Sequence, residues 1–383
     1  MRITITLILS FGLVSVLAPF LTPASQLQQQ PNQTEQKSGC GTVIQPGQLE
    51  ADLARTAKLG VKSIATQQVN RPYHLPLTIH IVRRTDGTGG FALDKLAVAM
   101  KDLNRIWRPA GIQFYIYGDI DYINDDTHFD LPESGQARGN LHRVNNVGNT
   151  INVYFTNLPR CGYASFSTNS TNDPPQAVLM DNSCAGVPWD PSSFAHELGH
   201  YFDLYHTHET SKGVECPNGS NCKSAGDLLC DTPADPGLGG IVDAFCAYTG
   251  SDATPENCDN TPYNPPTRNV MSYSRRTCGT ELTKDQISKA LSVLLSDRRN
   301  NLIDTLTHYV SLNGIDFPFF RFGIGLCSYR VPCRTISRAV TIANPGDHIF
   351  MEPGRYQSFS PNITKRVFLH RWELEGGAVH IER

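Results

Sequence analysis

The chain has 383 residues, a formal net charge of -3 and only 18% charged side chains, a balance that gives no electrostatic case for nucleic acid or an anionic membrane surface as a partner. Its length allows one large domain or two smaller ones with ample apolar material for a core. The 31 glycines and 25 prolines imply a loop-rich globular fold.

At the N-terminus Arg2 precedes a nearly unbroken apolar run from Ile3 to Leu21, and Pro23, Ala24 and Ser25 supply small residues for cleavage. This pattern predicts a secretion signal over residues 1–25. The run approaches spanning length, but the Gln-rich segment from Gln26 to Gln36 has no basic flank to retain it as an anchor. A secreted, extracellular protein with no membrane span in the mature chain is therefore expected. Residues 26–71 are polar, with one helical pattern from Leu49 to Leu59, and read as a propeptide cut off between Arg55 and Arg71.

Core-building texture begins at Leu75. Leu75 to Val82 reads as a strand, and Leu93, Leu96, Met100, Leu103 and Trp107 mark an amphipathic helix stopped by Pro109 and Gly111. Ile112–Tyr117, Thr150–Phe155 and Gln176–Met180 supply further strands, and a second helix starts near Ser192. The expected class is α+β: a mixed sheet backed by two long helices, with an irregular cysteine-rich lower part. Asn269 to Tyr273 forms a tight turn, and apolar spacing predicts one long helix from Leu282 to about His308. The middle of the chain, residues 72–312, forms one expected domain, and residues 313–383 form a β-rich module of short strands separated by Pro-Gly turns.

The second helix carries His196-Glu197-x-x-His200, followed by His206. Positions i and i+4 share a helix face, so His196 and His200 can grip one metal ion. A third histidine completes a three-imidazole zinc site with one position open, the arrangement of catalytic rather than structural zinc. Glu197 stands beside the first ligand, where its carboxylate serves as a general base toward water.

The eleven cysteines fit an exported protein, and eight lie between Cys161 and Cys278. Cys40 stands apart, between Gly39 and Gly41 in the polar segment. Removing it leaves an even ten, and its thiolate is a suitable ligand for the open zinc position. Asp231, Asp235, Asp252 and Asp259 lie among the cysteines of the irregular region, where clustered carboxylates suggest structural Ca2+ or a solvated acidic loop. Pairing is not fixed by sequence; Cys246–Cys278 and Cys230–Cys258 are the working expectation.

These residues resemble the metzincin zinc peptidases, and among them the pappalysin-like branch, over roughly residues 72–310. His196, His200 and His206 match the family's ligands, Glu197 its base and Met271 its Met-turn; Cys230-Asp231-Thr232-Pro233 also looks like that branch. The resemblance implies a zinc endopeptidase acting on proteins or peptides through a zinc-activated water. It also implies a zymogen held latent by Cys40 as a further zinc ligand, Tyr273 as an oxyanion partner, and calcium held by carboxylates such as Asp231 and Asp235. A family glycine is replaced by Asp203, a residue type that tolerates the left-handed conformation the turn needs. Asp203→Gly, which removes any left-handed strain, is therefore expected to be neutral or mildly stabilising.

The tail resembles the opening of a pectin-lyase-type parallel β-helix, with Arg334 to Ala343 as its capping helix. One or two rungs bury little core, so the tail is expected to pack on the preceding domain, be stapled by Cys327 and Cys333, or be incomplete. A competing reading is a non-catalytic secreted binding or adhesion protein on the same scaffold. Retention of all three histidines and Glu197 argues for the enzyme.

Overall fold

A computed structural model describes residues 39–44, 72–167, 174–251, 255, 258–303, 305–316, 327–357, 365–371 and 379–382. The signal peptide, the Leu49–Leu59 helix, the propeptide cleavage region and Asp252 lie outside the described residues. No helix among the described residues is long and apolar enough to cross a membrane.

Strand β1 (Tyr73–Arg83) forms the centre of a six-stranded sheet. It pairs in parallel with β2 (Ile112–Ile116), β3 (Asp121–Asn124) and β4 (Ile151–Thr156), and β4 pairs in parallel with β6 (Ala177–Asp181). The outer strand β5 (Gly162–Ala164) runs antiparallel to β6 at one edge of the sheet, hereafter the free edge because no further strand of the sheet lies beyond it among the described residues. Leu75, Leu77, Ile79 and Ile81 alternate along β1 and bury against helix α1 (Leu93–Trp107), which offers Leu96, Ala99, Leu103, Ile106 and Trp107 from one face. The left-handed Gly111 (φ 65°) turns the chain from that helix into β2. Two short helices, α2 (Asp126–Phe129) and α3 (Gly135–Leu141), cover the other face, where Phe129 and Leu141 pack with Tyr154 and Leu179.

Helix α4 (Ser193–Tyr201) is buried along its whole length and joins α1 through a hydrogen bond from Trp107 Nε1 to the Ala195 carbonyl (3.3 Å). Asp190 caps its start, accepting from Ser193 N at 3.0 Å and Ser193 Oγ at 2.8 Å, and is itself neutralised by Arg276 at 2.8 Å. The expected mixed α+β sheet with helices behind it is thus present. Helix α5 (Lys284–Leu294), however, stops far short of His308. Apolar spacing continues through Leu295 and Leu302, but between them the Ser296 carbonyl accepts from Arg299 N and Asn300 N, turning the chain.

The tail sheet begins at β7 (Thr307–Val310), before the boundary expected at residue 313. This strand pairs in parallel with β8 (His348–Met351), which pairs in parallel with β10 (Phe368–Arg371). A second parallel pair joins β9 (Gly354–Gln357) and β11 (Val379–Glu382), and α6 (Ile336–Ile342) covers Val310, Ile349 and Met351. The tail is stapled by Cys327–Cys333 and docks through Tyr115, Tyr309 and Phe350, with Tyr115 Oη and Thr307 Oγ1 2.8 Å apart. Parallel pairing accords with the expected tail; the likeness to a pectin-lyase-type β-helix remains one of sequence.

Five disulfides are present: Cys161–Cys184, Cys216–Cys258, Cys222–Cys230, Cys246–Cys278 and Cys327–Cys333. The Cys246–Cys278 expectation holds, whereas Cys230 pairs with Cys222 and not with Cys258. A tight loop folds Cys222 back onto Cys230 eight residues later, leaving Cys258 to reach Cys216. Cys40 is free and buried.

Candidate metal centre

Helix α4 directs His196 and His200 to one point, and the turn after it brings in His206. The Nε2 atom of His200 lies 3.1 Å from that of His196 and 3.0 Å from that of His206. His196 Nδ1 faces the Val270 carbonyl at 2.7 Å, and His200 Nδ1 faces the Leu204 carbonyl at 2.8 Å. A carbonyl only accepts, so both rings carry their proton on Nδ1 and turn bare Nε2 lone pairs toward each other. Burial keeps all three rings neutral, lowering His196 to about 4 and His200 and His206 well below the usual imidazole value. Apposed lone pairs repel unless a cation sits among them.

Cys40 completes this set. Its Sγ and one nitrogen from each of the three histidines all lie within 4.8 Å of one another, and three imidazole nitrogens with one thiolate sulfur form a donor set that suits zinc. Burial, and then the neighbouring Glu197, push the Cys40 thiol far above its ordinary value, so its thiolate needs a compensating cation.

The position of His206 depends on how α4 ends. Asp203 adopts φ 62°, as its residue type predicts, and its N–H donates to the His200 carbonyl while Leu204 N donates to that of Gly199, both at 2.9 Å. This pair of bonds is the Schellman arrangement with Asp203 at the left-handed position. Met271 is fully buried beneath the helix, and a Cβ on Gly199 would stand 2.3 Å from its Sδ. Asn269 Oδ1 accepts from Met271 N at 2.9 Å, and Asn269 exchanges side-chain bonds with Gln286, the partner of Thr283 in the capping box of α5. The second half of the chain thereby holds the Val270 carbonyl against His196.

Glu197 is 1% exposed, and burial raises its carboxyl to about 8 against the lowering effect of bonds from Cys40 and Thr42. Cys40 Sγ donates to its Oε2 at 3.4 Å and Thr42 Oγ1 does so at 3.2 Å. The segment carrying both runs parallel to the free edge: Gly41 N donates to Gly162 O at 2.9 Å and Cys161 N to Gly39 O at 3.0 Å. Gly162 is required here, because a Cβ on it would meet Glu197 Cγ at 2.5 Å. Tyr273 donates through its hydroxyl to the Cys40 carbonyl at 2.7 Å, with its ring edge-on to His206.

The acidic residues of the irregular region serve as hydrogen-bond acceptors. Asp231 accepts from Thr283 Oγ1 and Asp285 N, both at 2.8 Å, at the start of α5. Asp235 accepts from Ser272 Oγ at 2.6 Å and Gly237 N at 2.7 Å, and from Thr207 Oγ1, linking the loop after His206 to the Met271 turn. Among the described residues neither falls in a cluster of three or more metal-type donors. The sequence reading missed Thr42, strand β5 and the Asn269–Gln286 pair. Only the last leaves a signal, the Thr283-x-x-Gln286 cap.

A family model described as Pregnancy-associated plasma protein-A, of the Peptidase M43 family, matches residues 133–295, which hold the three histidines and Met271. An extracellular metalloprotease of Colletotrichum graminicola is 29% identical over 289 residues, covering 72% of this chain and 92% of that protein. Another from Pyricularia oryzae is 26% identical over 232 residues, covering 57% of this chain and 74% of that one. A solved promirolysin mutant of Tannerella forsythia is similar at 18% identity with a TM-score of 0.49, over 69% of this chain and 97% of that one. The family model and the fungal relatives support a pappalysin-like metallopeptidase.

Proposed function

We propose that the chain is a secreted zinc endopeptidase made as a latent zymogen, cleaving proteins or peptides. The observation that carries this reading is the convergence of three imidazole nitrogens and the Cys40 sulfur beside a buried glutamate. The extracellular metalloprotease relatives support export.

His196, His200 and His206 would hold the zinc, which when bound supplies Lewis acidity enough to bring a water's pKa toward about 7. Glu197 would accept a proton at its carboxylate from the attacking water and return it to the leaving amine. The N–H and C=O groups of β5, engaged by residues 39–42 in the latent form, offer a peptide substrate the same strand pairing. Tyr273, once released from the Cys40 carbonyl, would serve as a donor to a developing oxyanion.

Latency follows from occupancy. Cys40 would supply a fourth donor to the zinc, and the surrounding segment fills the substrate edge. A tethered ligand has a high effective concentration and outcompetes water until the tether is cut. Purified wild type should contain one zinc per chain and, once processed, cleave a denatured protein. Glu197→Ala should retain the zinc and lose the cleavage. A processed protein active without any transition metal rejects the reading.

A further inference from the structure

Asp203 does more than a glycine could. Its carboxylate is 2% exposed; Oδ1 accepts from Ser167 N at 2.7 Å and Oδ2 accepts from Ser167 Oγ. Ser167 follows the free edge strand β5 and is held in turn by Arg298, whose Nη1 donates to its carbonyl and hydroxyl oxygens, both at 2.9 Å. The next residue, Arg299, is 3% exposed. Its Nη2 donates to the Tyr201 carbonyl at the end of α4 (3.1 Å) and to the Ser165 carbonyl (3.3 Å), and its guanidinium lies 3.5 Å over the Tyr201 ring. Burial works against the charge on Arg299, and Tyr201 and Asp203 support it.

We propose that Asp203 is a positioning residue: its carboxylate ties the turn that delivers His206 to the segment leaving the substrate-pairing edge, setting metal ligand and edge strand in one frame. A glycine would allow the left-handed turn but leave the Ser167 N–H buried without its acceptor. Asn would keep the backbone conformation and an acceptor for Ser167 N–H. The expectation that Asp203→Gly is neutral is therefore replaced by an expected loss.

The proposal rests on the zinc reading, and the test separates the two. Full-length wild type, Asp203→Asn, Asp203→Gly and Ser167→Ala are titrated with zinc against a chelating dye. Their cobalt(II) forms are compared by visible absorption, and amide exchange at Ser167 and Leu204 is followed without metal. Asp203→Gly should bind zinc about tenfold more weakly, the lower end for loss of an outer support. Its cobalt bands should shift and both amides should exchange faster, while Asp203→Asn stays within about threefold of wild type on the same scale. An Asp203→Gly protein indistinguishable from wild type overturns the proposal, as does an Asp203→Asn protein as impaired as Asp203→Gly. Should Asp203→Gly not fold, Ser167→Ala decides: faster exchange at Leu204 supports the tie and unchanged exchange overturns it. Wild type that binds no zinc defeats the peptidase reading, whereas the exchange measurement still tests the tie.

Discussion

The hydroxyl of Thr42 donates to Glu197 Oε2 at 3.2 Å and accepts from the Ala164 amide at 2.8 Å. On the proposed mechanism one side chain therefore occupies the general base and blocks an edge-strand donor open to a substrate backbone. If the chain is the proposed zymogen, its latency would have two holds, one at the metal through Cys40 and one at the base through Thr42.

Cys40→Ala in the full chain is expected to give peptidase activity, and adding Thr42→Ala should raise it by a further factor of about ten, since a hydrogen bond to a charged group is worth ~1.5–3 kcal/mol. Initial rates of the two uncleaved variants on a quenched peptide provide the check. Equal rates would show that Thr42 contributes no second hold, and a silent Cys40→Ala protein would remove the first.

Glu197→Gln should keep the site's shape, because the amide oxygen still accepts from Thr42. Zinc should remain at one per chain while turnover of the processed protein falls by about 10²–10⁴, the usual worth of a general acid-base group. A variant with near-normal turnover places the proton transfer elsewhere.

The helix-borne part of this centre was open to sequence reading, since i,i+4 spacing fixes His196 and His200 to one face and cysteine parity isolates Cys40. Helix α1 and strand β1 were equally legible, because their apolar periods are long. Strand β5 was not: Gly162, Tyr163 and Ala164 have no alternating pattern and become a strand only by pairing with β6. The end of α5 was hidden because Leu295 and Leu302 continue its apolar rhythm while Ser296 turns the backbone. At Asp203 the residue type revealed the left-handed turn, but its carboxylate contacts depend on Ser167, 36 positions earlier.

Gly199 lies inside the ligand helix with Met271 pressed against it. Gly199→Ala would bring a Cβ to 2.3 Å from Met271 Sδ and 3.0 Å from its Cε, and Met271 is fully buried. Despite alanine's better helix propensity, the variant should lose about 1–3 kcal/mol of stability through overpacking. Denaturant unfolding of the zinc-loaded protein tests this, and unchanged stability would mean that the Met271 turn is not a rigid floor.

The cysteine-rich region contains a strained carboxyl pair. Glu215 and Asp227 are 5% and 1% exposed, and among the described residues Glu215 Oε2 and Asp227 Oδ2 have no hydrogen-bond partner. Burial, and for Glu215 the neighbouring Asp227, raise Glu215 to about 8; burial first raises Asp227 to about 7. Both values exceed those of the unfolded chain, so the folded form holds more protons across the interval. Stability contributed by the protonated groups is complete below the unfolded values and declines as pH rises through the folded ones. Buried neutral histidines such as His142, lowered to about 4, act in the opposite sense as pH falls below their unfolded value, so a wild-type profile alone mixes the two effects. Comparison with Glu215→Gln isolates the pair. In metal-free buffer the two proteins should melt alike near pH 4, and the variant should gain on wild type as pH rises toward 8, levelling off above that. A constant difference across this range would show that Glu215 ionises normally in the folded protein.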